Sequence, residues 1–143
     1  MRVQLALNVR DLDEAIDYYG KLFGAKVNKR KPGYANFAID QPPLKLVLLE
    51  VPDAPERLNH LGVEVFAEAD VDAAVERLAA AGIAGPIEVE RTCCHAKQNK
   101  VWSTDPQGAR WEFYRVLADS ESFAAPSPAA SAAPTAAGAC GCA

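Results

Sequence analysis

Hydrophobic and polar positions alternate along residues 3–9, VQLALNV, with the period of two that marks a strand with one apolar face. The period lengthens at Asp11. In DLDEAIDYYGKLFG, Leu12, Ala15, Ile16, Tyr19 and Phe23 fall on one helical face, Asp11 is placed to cap it, and Gly24 to end it. Extended runs follow at 25–30, 34–39 and 44–51, parted by the turn signals Lys31-Pro32-Gly33 and Gln41-Pro42-Pro43. Then the pattern restarts. Residues 60–66 read as a strand, Val71 to Ala81 as a helix ended by Gly82, and 86–91, 98–104 and 110–117 as extended runs, with Asp105-Pro106-Gln107-Gly108 as the last turn.

This is βαβββ written twice, in modules at about 1–55 and 58–118. It predicts an α+β domain whose two tandem modules form an open cup-shaped mixed sheet, helices outside and bare faces within. Aligning the copies places Gln4 to Val9 on His60 to Val65. Leu5, Leu7 and Val9 then match Leu61, Val63 and Val65 on the helix-covered face. Gln4, Ala6 and Asn8 match His60, Gly62 and Glu64 on the cup face, because successive strand side chains point to opposite sides. Aligning Leu44 to Leu48 on Arg110 to Tyr114 puts Glu112 opposite Leu46, so the four related cup positions are Gln4, His60, Glu112 and Leu46.

Composition changes the picture at the C-terminal end. Residues 124–143, AAPSPAASAAPTAAGACGCA, carry no charge and no large apolar side chain, and Pro126, Pro128 and Pro134 interrupt any helix. They are expected to be a disordered tail ending in Cys140-Gly141-Cys142, which leaves 1–123 as the single folded domain. A net charge of -4 without a basic block argues against nucleic acid. No apolar run is long enough for a membrane span, and the N-terminus turns acidic too soon for a signal peptide, so a cytoplasmic protein is expected. Of four cysteines, Cys93 and Cys94 are adjacent and the other two close the tail. Neighbours cannot staple distant loops, so thiol chemistry or soft-metal capture is the better reading. One chain carries both modules, so a monomer can complete one cup and a homodimer is permitted.

Gln4, His60 and Glu112 offer an amide oxygen, an imidazole and a carboxylate, which suit Fe(II), Mn(II), Co(II) or Zn(II), and an apolar fourth corner would leave coordination positions open. A lone strand histidine is also commonly a hydrogen-bonded core residue. The Asn59-His60-Leu61-Gly62 and Trp111-Glu112-Phe113-Tyr114 segments, with a strand-start ligand ahead of the Val9-Arg10-Asp11-Leu12 helix entry, resemble the vicinal oxygen chelate superfamily. That superfamily includes glyoxalase, extradiol dioxygenases and antibiotic-resistance proteins. The resemblance covers 1–117 and implies Gln4, His60 and Glu112 as metal ligands. A glutamine at the first position departs from the more familiar histidine.

Arg91-Thr92-Cys93-Cys94-His95-Ala96-Lys97 falls in the connection before the seventh strand, expected as a mobile loop. Two adjacent thiols can converge on trivalent arsenic, Cd(II) or Hg(II), and Arg91, His95 and Lys97 would favour the thiolates if they point that way. Small apolar filler or a vicinal disulfide are the plainer alternatives. The segments 31–39, 43–48, 58–64 and 92–94, with Lys100-Val101-Trp102, resemble the ArsI-type organoarsenical carbon–arsenic lyases and their cadmium-induced (CadI) relatives. That resemblance implies a non-haem Fe(II), O2-dependent dioxygenase cleaving trivalent methyl- and aryl-arsenicals to arsenite, with Cys93 and Cys94 binding substrate. Tyr114, Lys100 and Trp102 are candidates to stand behind the ligands, with core packing the alternative for Tyr114 and a solvated side chain the preferred reading for Lys100. The rival readings are sequestration of Cd(II) or arsenicals without turnover, and a thiol-transferring resistance enzyme of the same superfamily.

Overall fold

The computed structural model describes residues 1–120. The tail expected at 124–143, with Cys140 and Cys142, lies outside the described residues. The elements are β1 (Arg2–Val9), α1 (Leu12–Phe23), β2 (Lys29–Lys31), β3 (Tyr34–Ile39), β4 (Leu44–Glu50), β5 (Leu58–Glu64), α2 (Glu68–Ala80), β6 (Ile87–Cys93), β7 (Ala96–Thr104) and β8 (Arg110–Asp119). The order is βαβββ twice over, as the hydrophobic pattern requires. Contacts divide the chain into two compact units after Glu64. The first strand of the second copy, β5, therefore lies in the first unit.

In the first unit the strand order is β2-β3-β4-β1-β5. Here β1 runs parallel to β4 and antiparallel to β5. One face carries α1. Leu12 packs with Ala35, Phe37, Ile39, Leu46 and Leu48, while Leu5, Leu7, Val9, Ile16, Tyr19 and Phe23 close the same cluster. The helix starts where the Asp11 side chain accepts a hydrogen bond from the Glu14 amide at 2.9 Å. It ends at Gly24 in the left-handed region (φ 60°), with the Ala25 amide returning to the Gly20 carbonyl. That return bond occupies the chain where an extended run was expected from residue 25, and β2 begins only at Lys29.

The second unit contains α2 and the antiparallel strands β8-β7-β6. Ala74 and Leu78 of α2 pack on Val101 of β7, with Val75 and Phe113 beside them. The helix begins at Glu68, three residues ahead of the expected Val71, with no side-chain cap at Ala67. Instead Glu68 accepts hydrogen bonds from Asn99 and Arg115, which tie the first turn to β7 and β8. Those hydrogen bonds, Asn99 first, hold the Glu68 carboxyl below its ordinary pKa.

One register expectation is corrected. Leu46 pairs with Leu5 and belongs to the α1-covered core, so it is not on the face of Gln4. The β4 residues that share the Gln4 face are Lys45 and Val47, which pair with Gln4 and Ala6. Copy-to-copy alignment without a register was one residue out, and one residue reverses the face of a strand. Leu46→Ala should therefore lower stability in denaturant unfolding by about 2–5 kcal/mol, the cost of a core cavity. A change within about 0.5 kcal/mol would mean Leu46 lines an open face.

Candidate functional site

The face of the first unit opposite α1 is polar and buried. Gln4, Ala6 and Asn8 of β1 lie beside His60, Gly62 and Glu64 of β5 in register, with Gln4 facing Gly62 and Ala6 facing His60. This meets the expectation for these six residues. Gln4 Nε2 stands 3.0 Å from His60 Nε2, and His60 is 1% exposed. The other ring nitrogen, Nδ1, is 2.6 Å from Asn59 Oδ1. At the far end of the strands, Glu64 is ion-paired with Arg2 and, at 3.2 Å, with Lys45.

In the second unit the face opposite α2 is built from alternate residues of β7 and β8. Gln98, Lys100 and Trp102 pair with Val116, Tyr114 and Glu112, and Cys93 of β6 pairs with Ala96 on the same side. The Lys100 ammonium is 2.6 Å from Glu112 Oε2, both side chains almost wholly buried. It lies 5.2 Å from the centre of the Trp102 ring and 5.8 Å from that of Tyr114. On Trp102 the Arg110 guanidinium also rests, at 4.4 Å. Burial lowers the Arg110 pKa from its usual value, and the charges of Glu112 and Glu88 oppose that shift. A solvated side chain is the preferred sequence reading for Lys100, and it is overturned: an ammonium buried beside a carboxylate is held by charge-assisted hydrogen bonding that water would otherwise supply. Tyr114, fully buried, shares the Glu112 face as expected.

The cysteines sit on a hairpin and not on a long loop. Strand β6 continues to Cys93, and Cys94-His95 alone connect it to Ala96. Both turn residues have positive φ, 50° and 61°, the pattern of the two-residue hairpin turn that normally takes Asn-Gly. An L residue in that conformation costs roughly 1–2 kcal/mol, and strain of this kind concentrates at functional sites. Cys93 and Cys94 are buried and their Sγ atoms are 3.5 Å apart. An S–S bond is ~2.05 Å, so the two sulfurs are in contact and not bonded to each other. Two sulfurs each ~2.3 Å from one soft centre, at an angle near ~100°, would stand about 3.5 Å apart. Lys97 is on the other face, ion-paired with Glu90 at 3.0 Å. It therefore does not support the thiolates, because its neighbour Ala96 is the residue that faces Cys93.

A family profile described as the glyoxalase/bleomycin resistance protein/dioxygenase superfamily matches residues 2–113. The chain belongs to that superfamily. It is 61% identical over 122 residues to the cadmium-induced protein CadI of Mycobacterium tuberculosis, covering 85% of this chain and 80% of that protein. It is 48% identical over 143 residues to the trivalent organoarsenical cleaving enzyme of Thermomonospora curvata, covering 99% and 95%. Among solved structures, homoprotocatechuate 2,3-dioxygenase from Arthrobacter globiformis superposes with a TM-score of 0.59 at 21% identity, over 82% of this chain and 36% of that one. That last likeness is one of fold.

The donor chemistry of this superfamily member fits a divalent ion. Two ligands bound at ~2.1 Å and roughly at right angles stand ~3 Å apart, the separation of the Gln4 amide and His60 Nε2. Turning the Gln4 carboxamide over exchanges Nε2 for its oxygen at that place. Glu112, in the second unit, carries a carboxylate that is ion-paired there with Lys100. Sequence reasoning passed over Gln98, whose side-chain oxygen is buried without a hydrogen-bond partner and whose amide nitrogen reaches toward the Cys93 carbonyl at 3.5 Å. The signal was present: Gln98, Lys100 and Trp102 are alternate residues of one strand. It also passed over Asn59, which was legible only as part of a motif.

Lys100→Met should destabilise the protein by about 3–5 kcal/mol in denaturant unfolding, because it takes the ammonium away from the buried Glu112 carboxylate. The double variant Lys100→Met, Glu112→Gln should recover much of that loss. Equal losses in single and double variants would show that the two side chains are not coupled.

Proposed function

We propose that this chain cleaves the carbon–arsenic bond of trivalent methyl- and aryl-arsenicals as an Fe(II)- and O2-dependent dioxygenase. The observation that carries the reading is the convergence of the Cys93 and Cys94 sulfurs, 3.5 Å apart and buried where β6 enters the left-handed Cys94-His95 turn. A trivalent methylarsenical in water is CH3As(OH)2. In the reduced protein each of the two thiols gives its proton to one hydroxyl, two waters leave, and a neutral bis-thiolate arsenical forms. Neutrality suits a buried site, since bare thiolates there would be costly. The name of the 48%-identical relative supports this substrate class.

Gln4, His60 and Glu112 are the residues that would hold Fe(II), leaving positions open. The ion, when bound, supplies the activation of O2 that protein side chains cannot provide. The protein's own part is positional: the Cys93–Cys94 turn fixes the arsenic, converting a bimolecular encounter into an oriented one. The overall change balances without an outside reductant: CH3As(OH)2 and O2 give formaldehyde and As(OH)3.

A second reading is favoured by the 61%-identical relative, whose name refers to cadmium: capture of Cd(II) or arsenicals by the same thiols without turnover. Both readings place the thiol site apart from the metal site, which experiment can separate. Cys93→Ser should abolish binding of a trivalent methylarsenical, followed by titration with tryptophan fluorescence, and leave Fe(II) content unchanged. His60→Ala should do the reverse. Loss of both activities in either folded variant would contradict distinct thiol and metal sites.

A further inference from the structure

A chain of side-chain amides lies behind His60 and fixes which ring nitrogen carries the proton. It starts at a backbone carbonyl. The Asn8 side chain is hydrogen-bonded to the carbonyl oxygen of Glu56 at 3.0 Å. A carbonyl oxygen only accepts, so Asn8 must present its Nδ2 there. Its Oδ1 is left to accept from Asn59 Nδ2 at 2.9 Å. Asn59 is thereby turned so that its Oδ1 faces His60 Nδ1 at 2.6 Å. An amide oxygen cannot donate, so the proton of the neutral imidazole resides on Nδ1. The opposite nitrogen, Nε2, keeps its lone pair on the side of Gln4, whose Nε2 is 3.0 Å away and is a donor. The acceptor at Nδ1 and the donor at Nε2 call for the same tautomer.

The anchor is rigid. The Asn8 amide donates to the Arg57 carbonyl at 2.7 Å, and Arg57 Nη1 returns to the Asn8 carbonyl at 3.4 Å. The end of β1 is thus stitched to the segment leading into β5, and Asn8 has one orientation that satisfies its neighbours. Reversing either amide would set oxygen against oxygen at Glu56 or between Asn8 and Asn59, and an unmade buried hydrogen bond costs more than a made one contributes.

We propose that Asn59, oriented by Asn8, is a positioning residue that holds His60 as the Nδ1–H tautomer, so that Nε2 is delivered as a lone-pair donor. An imidazole free to choose would place much of its proton on Nε2, the atom that has to coordinate. The inference rests on the reading of His60 as a metal ligand for its purpose, but not for its test: the tautomer exists in the metal-free protein.

The test is 15N NMR of the imidazoles in metal-free protein at about pH 8.5, above the ordinary histidine range, with His60 distinguished by a His95→Asn spectrum. Wild type should show the proton on Nδ1. Asn59→Ala should move it wholly or partly to Nε2 and weaken Co(II) binding by roughly 10–100-fold, the usual effect of losing a hydrogen bond behind a metal-binding histidine. Asn59→Asp, which keeps an acceptor at Nδ1, should restore both, and Asn8→Ala should give a smaller shift of the same sign. An Nε2–H tautomer in wild type, or an Nδ1–H tautomer undisturbed in Asn59→Ala, would overturn the proposal. So would Co(II) binding that stays unchanged when the tautomer moves. If no variant and no wild type binds Co(II), the reading of a metal site fails while the tautomer result stands on its own.

Discussion

Taking a carboxylate or an imidazole out of water costs several kcal/mol unless the protein answers it, and that constraint organises the helix-free face of each unit. Glu112 is answered by Lys100, His60 by Gln4 and Asn59, and Glu64 by Arg2 and Lys45. The opposite faces pose no such demand. There α1 and α2 cover leucine, phenylalanine and valine side chains, and ordinary apolar burial suffices. The helices supply a stable floor, and each strand spends its alternate residues on chemistry.

The pairs that satisfy buried groups also prepare them. The lysine ion-paired with Glu112 holds that carboxylate in place on the buried face. The amides behind His60 leave one nitrogen committed and the other available. At the hairpin tip the fold tolerates two left-handed L residues, Cys94 and His95, where Asn and Gly would be less strained. The gain is that two sulfurs converge within 3.5 Å, a spacing suited to one soft centre and of little use to a core.

Much of this was legible in the sequence because it is periodic. Alternation along β1 and β5 placed Gln4 and His60 on one face, and the 3.6-residue stripe with Asp11 and Gly24 marked α1 nearly to its ends. What was missed depends on register or on partners distant in the chain. Leu46 was put on the wrong face because aligning two copies cannot say where a strand is bulged or shifted. Lys100 read as solvated because a lysine's burial is decided by a carboxylate on the next strand, Glu112. The start of α2 was expected too far along the chain because its first turn is held by Asn99 and Arg115 and not by a local cap. The cysteines looked like a loop because turn rules expect glycine or asparagine where Cys94 and His95 stand.

The measurement that bears most directly on the account is the stoichiometry of one turnover. Protein loaded with Fe(II) without air would be given excess trivalent methylarsenical and then a known amount of O2, with O2 uptake, arsenite and formaldehyde followed together. The account predicts one arsenite and one formaldehyde for each O2 consumed, with no added reductant. Tight arsenical binding without O2 uptake or arsenite would contradict it and make the thiol pair a trap.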